Sequence, residues 1–481
     1  MTIATDIDTK VLNLFGRAAI NKSLAQYSTQ FRRLPRFVAD YLIASLIDPD
    51  NPGPGIAKIE RLMAEHFVDS TQKEYVKRRI RESDNRQYQL FGQARVRYDQ
   101  GRDMYWADVP ALDDASVRID PSLLEEHGAA LLTTGAWGTL TIAYDPTFTI
   151  ARKQYPFLIV GFQPMQITSI DLDEFIDLRE QFTTGEWIDL LITSIGFDPE
   201  RIDHQAKLLY LARLIAFVEP NVNLVELGPP ESGKTYHYRS TSTYSFVVSG
   251  SNTTVASLFY NKLRRQIGLV GYRDCVIFDE IAHADVREMA GVFSMLKDYM
   301  NEGWFGRDTN EQFSSECGIV FCGNIETDRQ TRAPRGFHRH LFAPLPRVIG
   351  EDRAFLDRIH GYIPGWLAPQ IRPENYATGY GLMADYLSEV MHRLRGRNHL
   401  HIISDQVDFH GMGQRNVTAV SRLASGFLKL VYPHRSSGTI LPDELTWAVD
   451  LAVGLRQRVV DQLAIISPGE FAGTKLTYSL K

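Results

Sequence analysis

Apolar residues recur at helical spacing near the start of the chain, at Val11, Leu12 and Phe15 and again at Phe37, Val38, Tyr41, Leu42 and Leu46, a pattern that predicts amphipathic helices. The run Asp48-Pro49-Asp50-Asn51-Pro52-Gly53-Pro54-Gly55 opposes helix and strand alike, so a loop or linker is expected there. A further helical stretch ends in a basic run at Lys77, Arg78, Arg79 and Arg81. From Gln87 to Thr168 the texture changes to short β-prone runs around Val96-Arg97-Tyr98, Tyr105-Trp106-Ala107, residues 138–144 and residues 156–160, separated by Gly, Asp and Pro turns. That alternation predicts a small all-β module, a partly closed barrel. Helices resume from Asp173 to Val218, with apolar faces at 187–192 and 208–211. Beyond them short apolar strands alternate with helical segments, which predicts an α/β fold with a parallel sheet and a ligand at its carboxyl edge.

Composition narrows this picture. The chain has 481 residues, and at about 150 residues per domain some three domains are expected. Four segments are read: a helical one at 1–86, a β-rich module at 87–170, a nucleotide-binding core with its preceding helices at 171–366, and a helical lid with tail at 367–481. With 52 Lys and Arg against 58 Asp and Glu, the net charge is −6, so no global positive field is present. Any polyanion site must be a local concentration of basic groups. No apolar run approaches the roughly 20 residues of a membrane span, and the N-terminus lacks a basic region followed by an apolar one. A cytoplasmic protein without membrane contact is expected. Cys275, Cys317 and Cys322 lie in apolar runs without CxxC spacing and are read as reduced, buried thiols. The histidines show no metal-ligand spacing.

The chemistry concentrates after Asn223-Leu224-Val225-Glu226-Leu227. That strand runs into Gly228-Pro229-Pro230-Glu231-Ser232-Gly233-Lys234-Thr235, which fits the phosphate-loop pattern GxxxxGK[ST]. Glycines let the backbone curl so that successive amides face phosphate oxygens, and the following helix presents its N-terminal dipole to the same charge. Lys234 is expected to reach the β- and γ-phosphates of ATP, and the Thr235 hydroxyl to coordinate Mg²⁺. Cys275-Val276-Ile277-Phe278-Asp279-Glu280 is an apolar strand ending in two carboxylates. Asp279 suits Mg²⁺ and Glu280 suits the polarising of an attacking water. A third strand, 318–323, ends at Asn324, whose amide can hold the lytic water or the γ-phosphate.

These motifs, together with Met295-Leu296-Lys297-Asp298-Tyr299-Met300, Gly323-Asn324-Ile325, Asp357-Arg358-Ile359-His360-Gly361-Tyr362-Ile363-Pro364-Gly365-Trp366 and Phe182-Thr183-Thr184-Gly185-Glu186-Trp187, resemble the BrxL family. Its members are Lon-related AAA+ proteins of bacterial BREX phage-defence systems, and the likeness covers most of the chain. The resemblance implies an AAA+ P-loop ATPase core similar to that of MCM helicases, with a C-terminal helical lid. It also implies assembly as rings around DNA, hexameric or stacked in pairs. Family members usually continue into a Lon-protease-like domain. No Ser-Lys dyad can be placed in the tail of this sequence, so peptidase activity is not expected of it.

The resemblance also assigns residues. Arg358 occupies the position of an arginine finger that reaches a neighbouring subunit's γ-phosphate, with Arg339 and Arg353 as rivals. Arg415 opens a stretch similar to the sensor 2 helix of MCM-like lids. Trp304, Phe305 and Arg307 fall where such ATPases carry a pore hairpin, and an Arg with aromatics at its tip suits a grip on DNA phosphates and sugars. The same aromatics equally suit packing the hairpin down. Arg32, Arg33 and Arg36, with Lys77, Arg78, Arg79 and Arg81, could form a basic collar over a ring entrance, although such runs are also ordinary solvated charge. The β-rich module is read as an OB-like DNA collar. The expectation is an ATP-dependent, ring-forming DNA motor or clamp that acts on double-stranded or single-stranded DNA with other phage-defence proteins. Two rival expectations are a Lon-like protein remodeller and a structural clamp that uses ATP only to close.

Overall fold

The protein is described from a computed structural model covering residues 6–481 apart from 27, 29, 30, 32, 50, 69–71, 84–86, 168, 169, 250–252, 263–265, 284, 285, 309, 310 and 329. Arg32 therefore lies outside the described residues, as does the tip of the expected pore hairpin. The chain divides into two compact units, one of Ile20–Ile170 and one of Met1–Ala19 with Asp171–Lys481. The first helix, α1 (Asp6–Phe15), belongs to the second of these.

In the unit Ile20–Ile170 three helices come first, α2 (Arg36–Leu46), α3 (Pro52–His66) and α4 (Lys73–Glu82). The expected loop over 48–55 ends sooner than its composition suggests, because α3 already starts at Pro52. Proline is tolerated in a first helical turn, where its missing N–H has no intrahelical partner to lose. Gly55 is required there by packing: a Cβ would stand 2.4 Å from the Leu46 carbonyl oxygen. Val38, Leu42 and Ile43 of α2 and Ile59 and Met63 of α3 close one apolar cluster.

Five strands follow: β1 (Gln87–Asp99), β2 (Met104–Val109), β3 (Asp114–Ile119), β4 (Ala136–Tyr144) and β5 (Phe157–Pro164), with helix α5 (Ser122–Leu131) between β3 and β4. They form a closed barrel in the order β1-β2-β3-β5-β4. All pairings are antiparallel except that of β3 with β5. Burial alternates along β4, so Leu140 and Ile142 face the interior with Leu90, Val96, Val117 and Ile159. Closure removes the free edges that a half-open sheet would leave.

In the larger unit, α6 (Leu172–Arg179), α7 (Thr184–Ser194) and α8 (His204–Val218) precede the sheet. Helix α7 starts with a capping box in which Thr183 and Glu186 satisfy each other's backbone donors. The chain then runs through β6 (Asn223–Gly228), α9 (Lys234–Thr241), β7 (Ser245–Ser249), β8 (Cys275–Asp279), α10 (Val286–Glu302), β9 (Trp304–Asp308), β10 (Glu311–Ser314), β11 (Gly318–Asn324) and β12 (Gly361–Pro364). Five of these strands make a parallel sheet ordered β7-β8-β11-β6-β12, while β9 and β10 form a separate antiparallel hairpin. All six residues of β6 are buried, as a central parallel strand covered on both faces requires.

Four longer helices follow in the unit, α11 (Ala384–Leu394), α12 (Leu400–Gln406), α13 (Gln414–Val431) and α14 (Pro442–Ile466). Trp187 donates from its indole to the Leu430 carbonyl at 2.9 Å, and Arg179 to that of Val431 at 2.8 Å, which ties α6 and α7 to the end of α13. Among the described residues no helix is long and apolar enough to cross a membrane. Cys275, Cys317 and Cys322 are free and buried.

Candidate nucleotide site

The parallel register decides what gathers at the carboxyl edge. Asn324 pairs with Gly228 across β11 and β6, so the candidate γ-phosphate sensor stands beside the first residue of the phosphate loop. Asp279 ends β8, next but one to β6 in the sheet, and Glu280 follows it. The residues singled out from separate sequence motifs thus meet on one edge: 228–235, Asp279, Glu280 and Asn324.

The loop curls through two left-handed residues, Glu231 at φ +64° and Gly233 at φ +70°. Glycine is favoured at Gly233 by its positive φ, and a Cβ there would also have to displace the end of the Ile371 side chain. Gly228 is needed because a Cβ would stand 2.6 Å from the Gly365 carbonyl carbon just beyond β12. The segment after β12 crosses the loop, where the Ile371 N–H donates to the Glu231 carbonyl at 3.1 Å. Glu280, exposed, is also left-handed at φ +51°, and its N–H donates to Asp279 Oδ1 at 3.0 Å. A non-glycine residue held there costs about 1–3 kcal/mol.

Lys234 opens α9 and is buried. Its Nζ donates to the carbonyls of Gly228 at 3.1 Å and Pro229 at 2.8 Å, to Ser232 Oγ at 3.1 Å and to Asn324 Oδ1 at 3.4 Å. Burial pulls its proton affinity below that of an ordinary lysine, and the Glu226 carboxylate opposes the shift. Beside the loop opens a cleft of about 780 Å³ whose walls include Pro229, Thr327, Asp328, Arg332, Gln370 and Arg372.

Two expected site residues are not at this edge. Arg358 lies ahead of β12, whose register runs from Gly361 beside Leu224 to Pro364 beside Leu227. Its carbonyl accepts from the Asn223 side chain at the opposite end of β6, five steps from Gly228 or roughly 17 Å along a strand. The guanidinium of Arg358 donates to the Ala354 carbonyl, and its Nε is buried without a hydrogen-bond partner among the described residues. Arg415 bonds Asp357 Oδ2 at 2.7 Å, so it stands beside Arg358 instead of over its own phosphate loop. Asp357 is gripped from the other side by the fully buried Arg456, at 2.7 Å. Of the rivals to Arg358, Arg353 pairs with Glu470, and Arg339 is exposed.

On the β9-β10 hairpin the two aromatics divide. Phe305 is buried against Phe259, Tyr299 and Phe313, whereas Trp304 is 50% exposed. Arg307 lies on β9, and its side chain is outside the described part of the structure. Three members of the basic run on α4 have partners within the helix: Lys77 pairs with Glu74 at 2.8 Å, Arg78 with Glu82 at 2.9 Å, and Arg79 bonds the Tyr75 hydroxyl at 3.2 Å.

Residues 157–477 match the family described as "Lon-like protease BrxL-like, ATPase domain", which makes the larger part of the chain an ATPase domain of the Lon-like kind. Residues 13–144 match "BREX system Lon protease-like protein BrxL N-terminal". The chain belongs to the BrxL family. It is 35% identical over 481 residues to the Lon-like protease BrxL of Escherichia coli O9:H4 (strain HS), covering 98% of this chain and 67% of that protein. It is 33% identical over 483 residues to the Lon-like protease BrxL of Bacillus cereus (strain H3081.97), covering 98% of this chain and 69% of that protein.

Sequence reasoning passed over the support beneath the loop. Arg213 on α8 and Glu226 on β6 form a salt bridge at 2.6 Å with both side chains fully buried. The signal was present, a lone charge inside each of two apolar runs, Leu208 to Phe217 and Asn223 to Leu227.

Proposed function

We propose that this protein is a cytoplasmic, ATP-dependent, ring-forming DNA motor or clamp of an anti-phage BREX system, hydrolysing ATP at the interfaces between subunits. The supporting observation is the division of site residues between two ends of one sheet. Lys234, Thr235, Asp279, Glu280 and Asn324 stand at the carboxyl edge, while Arg358 and the Asp357 that Arg415 bonds lie ahead of the amino end of β12. Arginines that cannot reach their own phosphate loop are suited to reach a neighbour's, as a ring supplies. The strand order β7-β8-β11-β6-β12, with the phosphate loop after β6 and the acid pair after β8, supports the AAA+ reading, and α11–α14 correspond to the helical lid. In the barrel, the closing order β1-β2-β3-β5-β4 with α5 between β3 and β4 supports an OB-like module.

In this reading the loop amides and Lys234 bind the phosphates, and Glu280 orients and polarises the attacking water with Asn324. The oxygen donors Thr235 and Asp279 fit Mg²⁺, which takes few protein ligands and keeps waters, and they would hold it where it would supply neutralisation of phosphate charge. Trp304 and Arg307 on the β9-β10 hairpin are assigned to DNA, since an exposed indole offers a stacking face. The name of the two relatives, Lon-like protease, favours a second reading, a remodeller of protein substrates.

Steady-state ATPase with and without duplex DNA at two salt concentrations tests the proposal. Salt-sensitive stimulation by DNA is expected, lost in Lys234→Ala, with Glu280→Gln binding ATP but turning over at least a hundredfold more slowly. DNA binding without stimulation would leave a clamp, and stimulation by unfolded protein alone would establish the remodeller.

A further inference from the structure

Arg213 donates from Nε to both carboxylate oxygens of Glu226, at 3.1 and 3.0 Å, and from Nη2 to Oε1 at 2.6 Å. Taking two charges wholly out of water is expensive, and an apolar pair of similar volume is often as stable or more so. Fold stability is therefore a poor reason for this pair. The same Nη2 also makes a long contact, 3.4 Å, to the backbone carbonyl of Ser232 in the phosphate loop.

The guanidinium is held in one orientation. It lies 4.8 Å from the centroid of the Tyr210 ring, which stacks on Phe197 at 4.5 Å and 23°. The carboxylate is confined as well, because Gly365 packs so closely that a Cβ there would stand 3.0 Å from Glu226 Oε1. The Ser232 carbonyl and the Gly233 N–H belong to one planar peptide unit, so holding the oxygen fixes the direction of the N–H. That unit borders Gly233, a residue with unusual rotational freedom, and would otherwise turn easily.

We infer that Arg213 and Glu226 are positioning residues for nucleotide binding: Glu226 holds the Arg213 fork, and the fork holds the Ser232–Gly233 peptide with its amide toward the phosphates. Neither side chain touches nucleotide in this account. The inference rests on the reading of 228–235 as the ATP site.

The test compares wild type, Arg213→Met/Glu226→Leu and Arg213→Lys, with calorimetric titration of ATP and Mg²⁺, steady-state kinetics and thermal unfolding. The double variant replaces the pair by apolar groups. Arg213→Lys keeps the charge but lacks a fork able to reach Glu226 and Ser232 together. Both variants are expected to unfold within a few degrees of wild type, and to bind ATP at least tenfold and fivefold more weakly, respectively. KM should rise with kcat within about threefold, the pattern of lost uniform binding. A merely structural fault would lower kcat through the folded fraction and leave KM unchanged, and that result overturns the inference. So does wild-type affinity in either folded variant. If the double variant does not fold, Arg213→Lys decides alone. Failure of wild type itself to bind ATP would sink the reading of the loop and the inference with it, whereas wild-type binding with equal binding by the variants sinks the inference only.

Discussion

His392 on α11 shows how one residue couples stability to pH. Its ring stacks on Tyr244 at 3.9 Å between centroids and 6° between planes, and its Nδ1 lies 2.7 Å from Asp274 Oδ2. Burial alone would lower its proton affinity, but the Asp274 carboxylate outweighs that and raises it. The folded chain therefore binds this proton more tightly than the unfolded chain. The contribution is complete below the ordinary imidazole value of about 6.5 and is lost as pH rises through the higher folded value. Urea midpoints are expected to fall between about pH 6 and about pH 8 in wild type and to fall less in His392→Gln. A buried cluster makes a larger effect. Asp357 faces Arg456, which is wholly buried, so Asp357→Ala should cost about 3 kcal/mol in chemical denaturation by leaving that charge unpaired.

At the scale of elements, the β9-β10 hairpin and helix α4 are two separate candidate sources of DNA contact. On α4, Lys77 pairs with Glu74 and Arg78 with Glu82, so each of these basic groups already has a carboxylate beside it that offsets its field. The hairpin is anchored by buried Phe305 and offers Trp304. Trp304→Ala with Arg307→Ala is accordingly expected to weaken DNA binding about tenfold and to flatten its salt dependence. An unchanged salt slope in a fluorescence-anisotropy titration would remove the hairpin from the interface. Lys77→Ala should change affinity by less than about threefold, in keeping with the small net effect of one screened surface charge.

At the scale of the whole molecule, separation of Arg358 and Arg415 from Lys234 carries a prediction about assembly. In the proposed ring, Lys234→Ala and Arg358→Ala should each abolish turnover, because each would remove one side of every interface. Mixing the two inactive proteins pairs an intact phosphate loop with an intact arginine at some interfaces, and partial ATPase activity is expected to return. No recovery at any mixing ratio, with mixed oligomers shown by crosslinking, would mean that Arg358 does not act across an interface.

Local physics made much of this legible in the chain. The phosphate loop, the apolar strands ending at Asp279 and Asn324, the alternating β-prone runs and the helical stripes each follow from neighbours in sequence, because glycine freedom, strand alternation and helical spacing act over a few residues. The start of α3 at Pro52 was misjudged for the same reason: composition alone does not register that Gly55 fits against Leu46 from another helix. Long-range contacts settled the rest. Pairing of Asn324 with Gly228 joins residues far apart in sequence, and the register of β12 on β6 carries Arg358 to the end away from the loop. Arg213 and Glu226 are isolated charges within apolar runs of the sequence, and only the packing of α8 against β6 brings them together beneath Ser232. A charge buried in a core is tolerable only with its partner in place, and which partner that is depends on how whole elements pack, a property no local stretch of sequence contains.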